Sequence, residues 1–184
     1  MTGVKQGRNA PRRLTSCMAE RWTPSVTVAA IIERRIDGMS RFLLVEEETP
    51  EGLKLNNPAG HLEPGESPLQ GVVREALEET ACVFTPDRLV GVYLSRFKRP
   101  SRGEDVTYLR FAYGGSVGEP DPARALDAGI VRTLWLTPDE IRASRALHRS
   151  PNVLRCVEDF LAGRRLPLDA VSTDASVYTP EIKG

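Results

Sequence analysis

The residues best suited to chemistry lie between positions 60 and 82. Gly60-His61-Leu62-Glu63-Pro64-Gly65-Glu66 is followed, after seven intervening residues, by Arg74-Glu75-Ala76-Leu77-Glu78-Glu79. On a helix advancing about 100° per residue, Glu75, Glu78 and Glu79 share an arc of about 100°. Leu69, Val72, Val73, Ala76 and Leu77 fill the neighbouring arc, so the helix has a core face and a separate acidic edge. Clustered glutamates repel one another. Arg74 can pair with Glu78 at i+4, but one cation then faces three acids. A divalent cation removes the conflict, and an all-oxygen donor set suits Mg2+ or Mn2+ rather than zinc. Gly60 and Gly65 allow sharp turns and a close approach of backbone to ligand. The Gly60 carbonyl is a further candidate oxygen ligand, and Glu66 is placed to reach back to the acidic edge. A charged helix face is by default a solvated one; the spacing of the loop before it lifts this helix above that default.

The elements that must position these residues alternate between strand and helix signals. Residues 26–33 read as a buried, β-branched strand and 41–47 as a second, with Asp37-Gly38 as the turn of a hairpin. Residues 56–68 are rich in Asn, Pro and Gly and read as turns. Ser67 is an N-cap before Pro68, and the helix it opens runs to about Thr80. Two long strands follow at 89–97 and 106–113, joined by a polar, basic turn that carries Lys98, Arg99 and Arg102. Another strand covers 130–136. Thr137, Pro138 and Glu140 make a capping box for a short helix, and an amphipathic helix spans 151–162 before Gly163. The tail from Arg164 onward has little periodicity and is expected to be loose.

Composition narrows the function classes. The 184 residues carry 25 basic and 25 acidic side chains, so the net charge is zero. That argues against a dedicated nucleic-acid binder and leaves room for a small anionic substrate. Cys17, Cys82 and Cys156 are far apart and form no CxxC pair, which fits neither a disulfide framework nor a zinc site and points to a reducing cytoplasm. Cys82 and Cys156 read as buried apolar residues. No apolar run is long enough to span a membrane. Residues 1–17 are basic and free of acids, and read as an extension rather than a targeting segment. The expected organisation is a disordered extension over 1–20, one domain over 21–170 and a tail over 171–184.

The segment resembles the Nudix box, G-x5-E-x7-R-E-U-x-E-E-x-G-U with U a bulky apolar residue. Gly60, Glu66, Arg74, Glu75, Glu78 and Glu79 fall at every required spacing. Ala81 stands where the family has glycine, and Ala76 and Cys82 are small for the apolar slots. Alanine there costs about 1 kcal/mol if its φ is positive. Within the family the chain is similar to the phosphatase NudJ branch, through Pro58-Ala59-Gly60-His61-Leu62-Glu63, Leu109-Arg110-Phe111, Trp135, Ser150-Pro151 and Arg164-Arg165-Leu166-Pro167-Leu168.

The resemblance implies an α/β fold, the Nudix α/β/α sandwich with a mixed β-sheet, and Mg2+-dependent hydrolysis of a phosphoanhydride bond, with Mn2+ able to substitute. It implies Glu75 and Glu79 as main metal ligands, Glu78 and the Gly60 carbonyl as additional ones, Arg74 as the residue orienting the glutamates, and Glu66 as support for the loop. The proton acceptor stays open between Glu75 and Glu78; Glu119 and Asp127, outside the box, read as solvated loop charges. Arg110 and His61 are the candidate substrate contacts. Phe111 and Tyr113 could stack on a base, although aromatics at strand spacing are more often core. The implied substrates are nucleoside tri- and diphosphates or hydroxymethylpyrimidine diphosphate. The alternatives are a nucleotide-sugar or dinucleotide pyrophosphatase, or a catalytically silent nucleotide-binding module. The expected partner is a small diphosphate or nucleotide, with no specific nucleic acid and no membrane, for a monomer or homodimer.

Overall fold

The computed structural model describes residues 22–99 and 103–178. Cys17, the expected extension and Arg102 lie outside them. The elements are β1 (Ser25–Ile36), β2 (Met39–Thr49), β3 (Gly52–Asn56), β4 (Ala59–His61), α1 (Pro68–Thr80), β5 (Phe84–Arg99), β6 (Glu104–Val117), β7 (Ile130–Leu136), α2 (Pro138–Ala143) and α3 (Asn152–Leu161). Among the described residues no helix is long and apolar enough to cross a membrane.

The sheet runs β3-β2-β1-β6-β5, with β4 added to β1 and β7 to β2. β1 and β6 are parallel and the other pairings antiparallel, so the sheet is mixed. The β1–β2 hairpin turns through Asp37 and Gly38, both at positive φ (51° and 76°), the conformation that matches the twist of the flanking strands. β1 forks. Its first half (Thr27 to Ala29) pairs with β4, and its second half (Glu33 to Ile36) pairs with β2.

Side chains of β1 alternate between two cores, as the period of a strand requires. Val28, Ala30 and Ile32 meet Val72 and Ala76 of α1, with Phe84, Leu89 and Tyr113. Ala29 and Ile31 face the other way, towards Ile141 of α2 and Val153, Cys156 and Val157 of α3. Helices thus cover both faces of the sheet, and the fold is an α/β/α sandwich. Cys82 and Cys156 are buried and free.

Two strands have no counterpart among the sequence expectations. β4 lies in the region read as turns and β3 in the stretch just before it, which carried no reading; five- and three-residue strands have too few residues to display a period. The two long strands also extend beyond 89–97 and 106–113. The stretch after α3 is docked rather than loose as far as Val171. Leu166 exchanges two backbone hydrogen bonds of 2.9 Å with Leu89, and Leu168 and Val171 pack on the core beside α1.

Helix α1 starts at a complete capping box. Ser67 Oγ accepts from the Gln70 N–H at 3.1 Å, and Gln70 Oε1 accepts from the Ser67 N–H at 2.9 Å. It ends at Ala81, whose φ of 57° is the left-handed conformation that glycine adopts more cheaply. Ser67→Ala is expected to lower unfolding stability by about 1 kcal/mol, read as a drop in the midpoint of chemical denaturation; an unchanged midpoint would show that the cap does not anchor the helix.

Candidate active site

The acidic edge is not turned to solvent. Glu75 and Glu79 are only 8% and 7% exposed and sit on the inner side of α1, while Val73 and Leu77, expected in the core, are half-buried. The reason is β4, which runs beneath the helix. Its Ala59 N–H donates to Glu79 Oε2 at 2.7 Å. At Gly60 an added Cβ would lie 2.1 Å from the Glu75 carboxyl carbon. Glycine is needed there because the carboxylate occupies the space a side chain would take.

Arg74 organises the rest. Its Nε and Nη2 donate to the two oxygens of Glu66 at 3.0 and 2.8 Å, a bidentate pair. Nη1 donates to Glu75 at 2.8 Å and to Glu78 at 2.9 Å, and Nη2 also reaches the His61 carbonyl at 3.0 Å. One guanidinium therefore holds the loop, β4 and the helix together. It also draws Glu75 and Glu78 to itself, while Glu79 turns to Ala59. Among the described residues no three His, Cys, Asp or Glu side chains are gathered to hold a metal ion.

Burial and mutual repulsion nonetheless disfavour the charged forms of Glu75 and Glu79. Burial pushes the Glu79 carboxyl up to about 8, and neighbouring Glu75, Glu47 and Asp127 push the same way against the Ala59 N–H. Burial also raises Glu75, countered by Arg74 and reinforced by Glu78 and Asp127. Hydrogen bonds from Arg74 hold Glu66 below the usual carboxylate range. An oxygen-only set of mutually repelling, partly buried carboxylates is the donor chemistry a hard dication fits.

Asp127 is exposed, but it is not a remote loop charge. Its N–H donates to the Glu78 carbonyl at 3.0 Å, which docks it on the last turn of α1. Glu119 lies elsewhere, in an exposed ion pair with Arg34 at 3.1 Å. Tyr113 is buried in the core and Phe111 packs beside it. Arg96 pairs with Asp105 across the β5–β6 ladder.

A cavity of about 260 Å³ opens beside β4. Gly60 and His61 line it, and so does Arg110, which is 8% exposed and projects from β6 opposite Thr27 of β1. Both expected substrate contacts thus face one cavity. Glu47 and Asn56 face it too, and sequence reasoning missed them. Asn56 read as a turn residue, and Glu47 as the last residue of the strand over 41–47.

Two outcomes follow from this geometry. Gly60→Ala should fold, because the atoms its Cβ meets belong to the movable end of Glu75. It should lower kcat/KM by about 100-fold through displacement of that carboxylate, with little change in melting temperature; full activity would mean the Glu75 position is immaterial. In the metal-free protein Glu79 binds a proton more tightly folded than unfolded, so its contribution to stability is present below its ordinary value of 4.5 and is lost as pH rises through about 8. Calorimetry in chelator between pH 5 and 8 should show melting temperature falling with pH more steeply for the native chain than for Glu79→Gln; identical slopes would remove this account.

The comparisons with known proteins agree with this geometry. The family model described as NUDIX domain matches residues 23–156. Phosphatase NudJ of Escherichia coli K12 is 29% identical over 148 residues, covering 80% of this chain and 90% of that one. A NUDIX hydrolase from Nitrosomonas europaea is 51% identical, covers 83% of this chain and 98% of its own, and superposes with a TM-score of 0.73. The NUDIX domain of Shewanella oneidensis NrtR, at 18% identity, shares the fold with a TM-score of 0.61 over 78% of this chain and 90% of that one. With the box glutamates seated against β4, the chain belongs to the Nudix family and is a hydrolase of pyrophosphate bonds.

Proposed function

We propose that this hydrolase is a Mg2+-dependent, NudJ-like phosphatase acting on nucleoside tri- and diphosphates or hydroxymethylpyrimidine diphosphate, with Mn2+ able to replace Mg2+. The observation that carries this reading is the pair of buried carboxylates, Glu75 and Glu79, pressed against the Ala59-Gly60 backbone beside a cavity that contains Arg110. The similarity to Phosphatase NudJ supports the substrate range.

Glu75 and Glu79, with Glu78 and the Gly60 carbonyl, would hold the metal ion, which supplies charge neutralisation at the phosphoryl group and an acidified water. The chain's own residues do the rest. Arg74 fixes the Glu75 and Glu78 side chains through Nη1, so neither searches rotamers during the reaction. Glu78, the more exposed of those two carboxylates, takes the proton of the attacking water. Glu66 keeps Arg74 in place through its two-oxygen contact. Arg110 and His61 meet the substrate from the cavity wall. The reading includes action in the cytoplasm, as a monomer or homodimer, by a domain over 21–170.

Phosphate release from a panel of diphosphates with Mg2+ tests this. Glu78→Gln and Glu79→Gln are each expected to lose on the order of 10²–10⁴-fold in kcat. Strong activity in both variants would end the mechanism. Turnover of an ADP-sugar with hydroxymethylpyrimidine diphosphate inert would end the NudJ-like substrate assignment and favour a nucleotide-sugar pyrophosphatase.

A further inference from the structure

Polar atoms without partners mark a second cavity, away from the glutamates. Eight buried side-chain nitrogen or oxygen atoms find no hydrogen-bond partner among the described residues. Four of them, on Thr27, Glu47, Asn56 and Arg110, belong to residues lining the cavity beside β4. Ser150 Oγ belongs to a residue that lines both this cavity and a neighbour of about 560 Å³. His148 Nδ1 belongs to a residue that lines the neighbour alone. The two spaces share Phe97 and the run Arg149-Ser150-Pro151-Asn152, so they adjoin. No glutamate of the box lines the second one.

His148 is 9% exposed. Its Nε2 stands 3.4 Å from Ser144 Oγ, while Nδ1 meets nothing. Burial holds the ring below its ordinary value, opposed by a hydrogen bond with the Ile141 backbone and aided by the charge of Arg145. A buried nitrogen left unpaired costs its desolvation. An anion in the cavity would favour the protonated ring, in which both nitrogens donate.

The charge around His148 is mostly of one sign. Arg145, Arg149 and Arg155 line the cavity, and Glu158 is the one carboxylate among its lining residues. Glu158 lies further along α3 than Asn152, about 9 Å down the axis, and stands 3.6 Å from Arg142. Arg155 is paired with Asp159 at 3.0 Å, and Arg149 is 3.6 Å from Glu47. Arg145 is exposed, and its guanidinium makes no hydrogen bond or ion pair among the described residues. The start of α3 borders the same space. Pro151 stands at its N-cap and supplies no side-chain hydrogen bond, so the positive end of the helix dipole is uncapped there. These groups donate and carry positive charge, which is the environment an acceptor-only dianion needs.

We infer that this second cavity binds a phosphate group, held by Arg145, His148 and the N-terminus of α3. It adjoins the substrate cavity and is clear of the box glutamates, so the phosphate it holds is not the one cleaved. Two sources supply such a group: a second phosphate at the far end of the substrate, or free inorganic phosphate. The first source rests on the hydrolase reading; the site itself does not.

Calorimetric titration with inorganic phosphate, in chelator and without Mg2+, reads the site with no turnover. The native protein is expected to bind phosphate, and Arg145→Gln and His148→Phe are each expected to weaken that binding by about tenfold or more. Thermal melting checks that both variants fold; Arg145 is exposed, so its variant carries the test even if His148→Phe does not fold. A second arm compares adenosine 5′-diphosphate with its 2′- and 3′-phosphorylated forms in the presence of Mg2+. A gain in kcat/KM of about tenfold from the extra phosphate, made through KM and lost in Arg145→Gln, identifies the substrate as the source. Adenosine 5′-diphosphate itself should turn over equally in the native protein and in Arg145→Gln. Phosphate binding that depends on Arg145 without any such gain identifies free phosphate as the source. If none of the three nucleotides is cleaved, the hydrolase reading fails and the titration alone decides the site. A phosphate titration and a substrate preference both unmoved by Arg145→Gln would overturn it.

Discussion

One guanidinium fixes the relation between the loop, the short strand β4 and the helix α1. Arg74 reaches Glu66, Glu75, Glu78 and the His61 carbonyl at once, and only a planar fork with five donors can do so. A lysine would supply the charge without the geometry. The guanidinium is saturated by the loop and two glutamates, and Glu79 accepts a backbone N–H instead. The result is two buried carboxylates in different hydrogen-bonding environments, Glu75 on Arg74 and Glu79 on the Ala59 N–H. Burial displaces both upward, against the pull of Arg74 on Glu75 and of the Ala59 N–H on Glu79, and such a set suits a dication.

The forked strand β1 supplies the second half of the site. By pairing with β4 early and β2 late, it opens the sheet where the two halves separate. The cavity lies at that separation: Thr27, Ala59 and Gly60 come from one side, Glu47 and Asn56 from the other, and Arg110 from β6 behind. A continuous sheet would have paired and covered these positions. Both faces of β1 are packed by helices, so the split costs little rigidity, and polar side chains can be held unpaired in a fixed frame.

Ala81 shows how far a departure from a family pattern can be absorbed. The left-handed helix end persists at φ 57° with alanine in place of glycine, and its N–H still caps Leu77 at 3.0 Å. The burial of Ala81 and the Asp121 N–H bonded to its carbonyl hold a conformation that alanine disfavours by about 1 kcal/mol.

The sequence by itself determined the local features: the capping boxes of α1 and α2, the Asp37-Gly38 hairpin, the end of α3 at Gly163, the period of β7, and the linear motif from Gly60 to Glu79. Each depends on groups within a few residues of one another, or on a spacing that can be matched along the chain. Which way the acidic edge faced was not legible, because a helical wheel gives angles but not what lies beneath the helix. β4 decided it, and a three-residue strand has no period to read. The approach of Asp127 to the glutamates, and of Glu47 and Asn56 to Arg110, was likewise left to the tertiary structure. Those contacts join parts of the chain about 50 or more residues apart, through strand register and the fork in β1. Register is set by burying both faces of the sheet at once, and no single segment carries that condition.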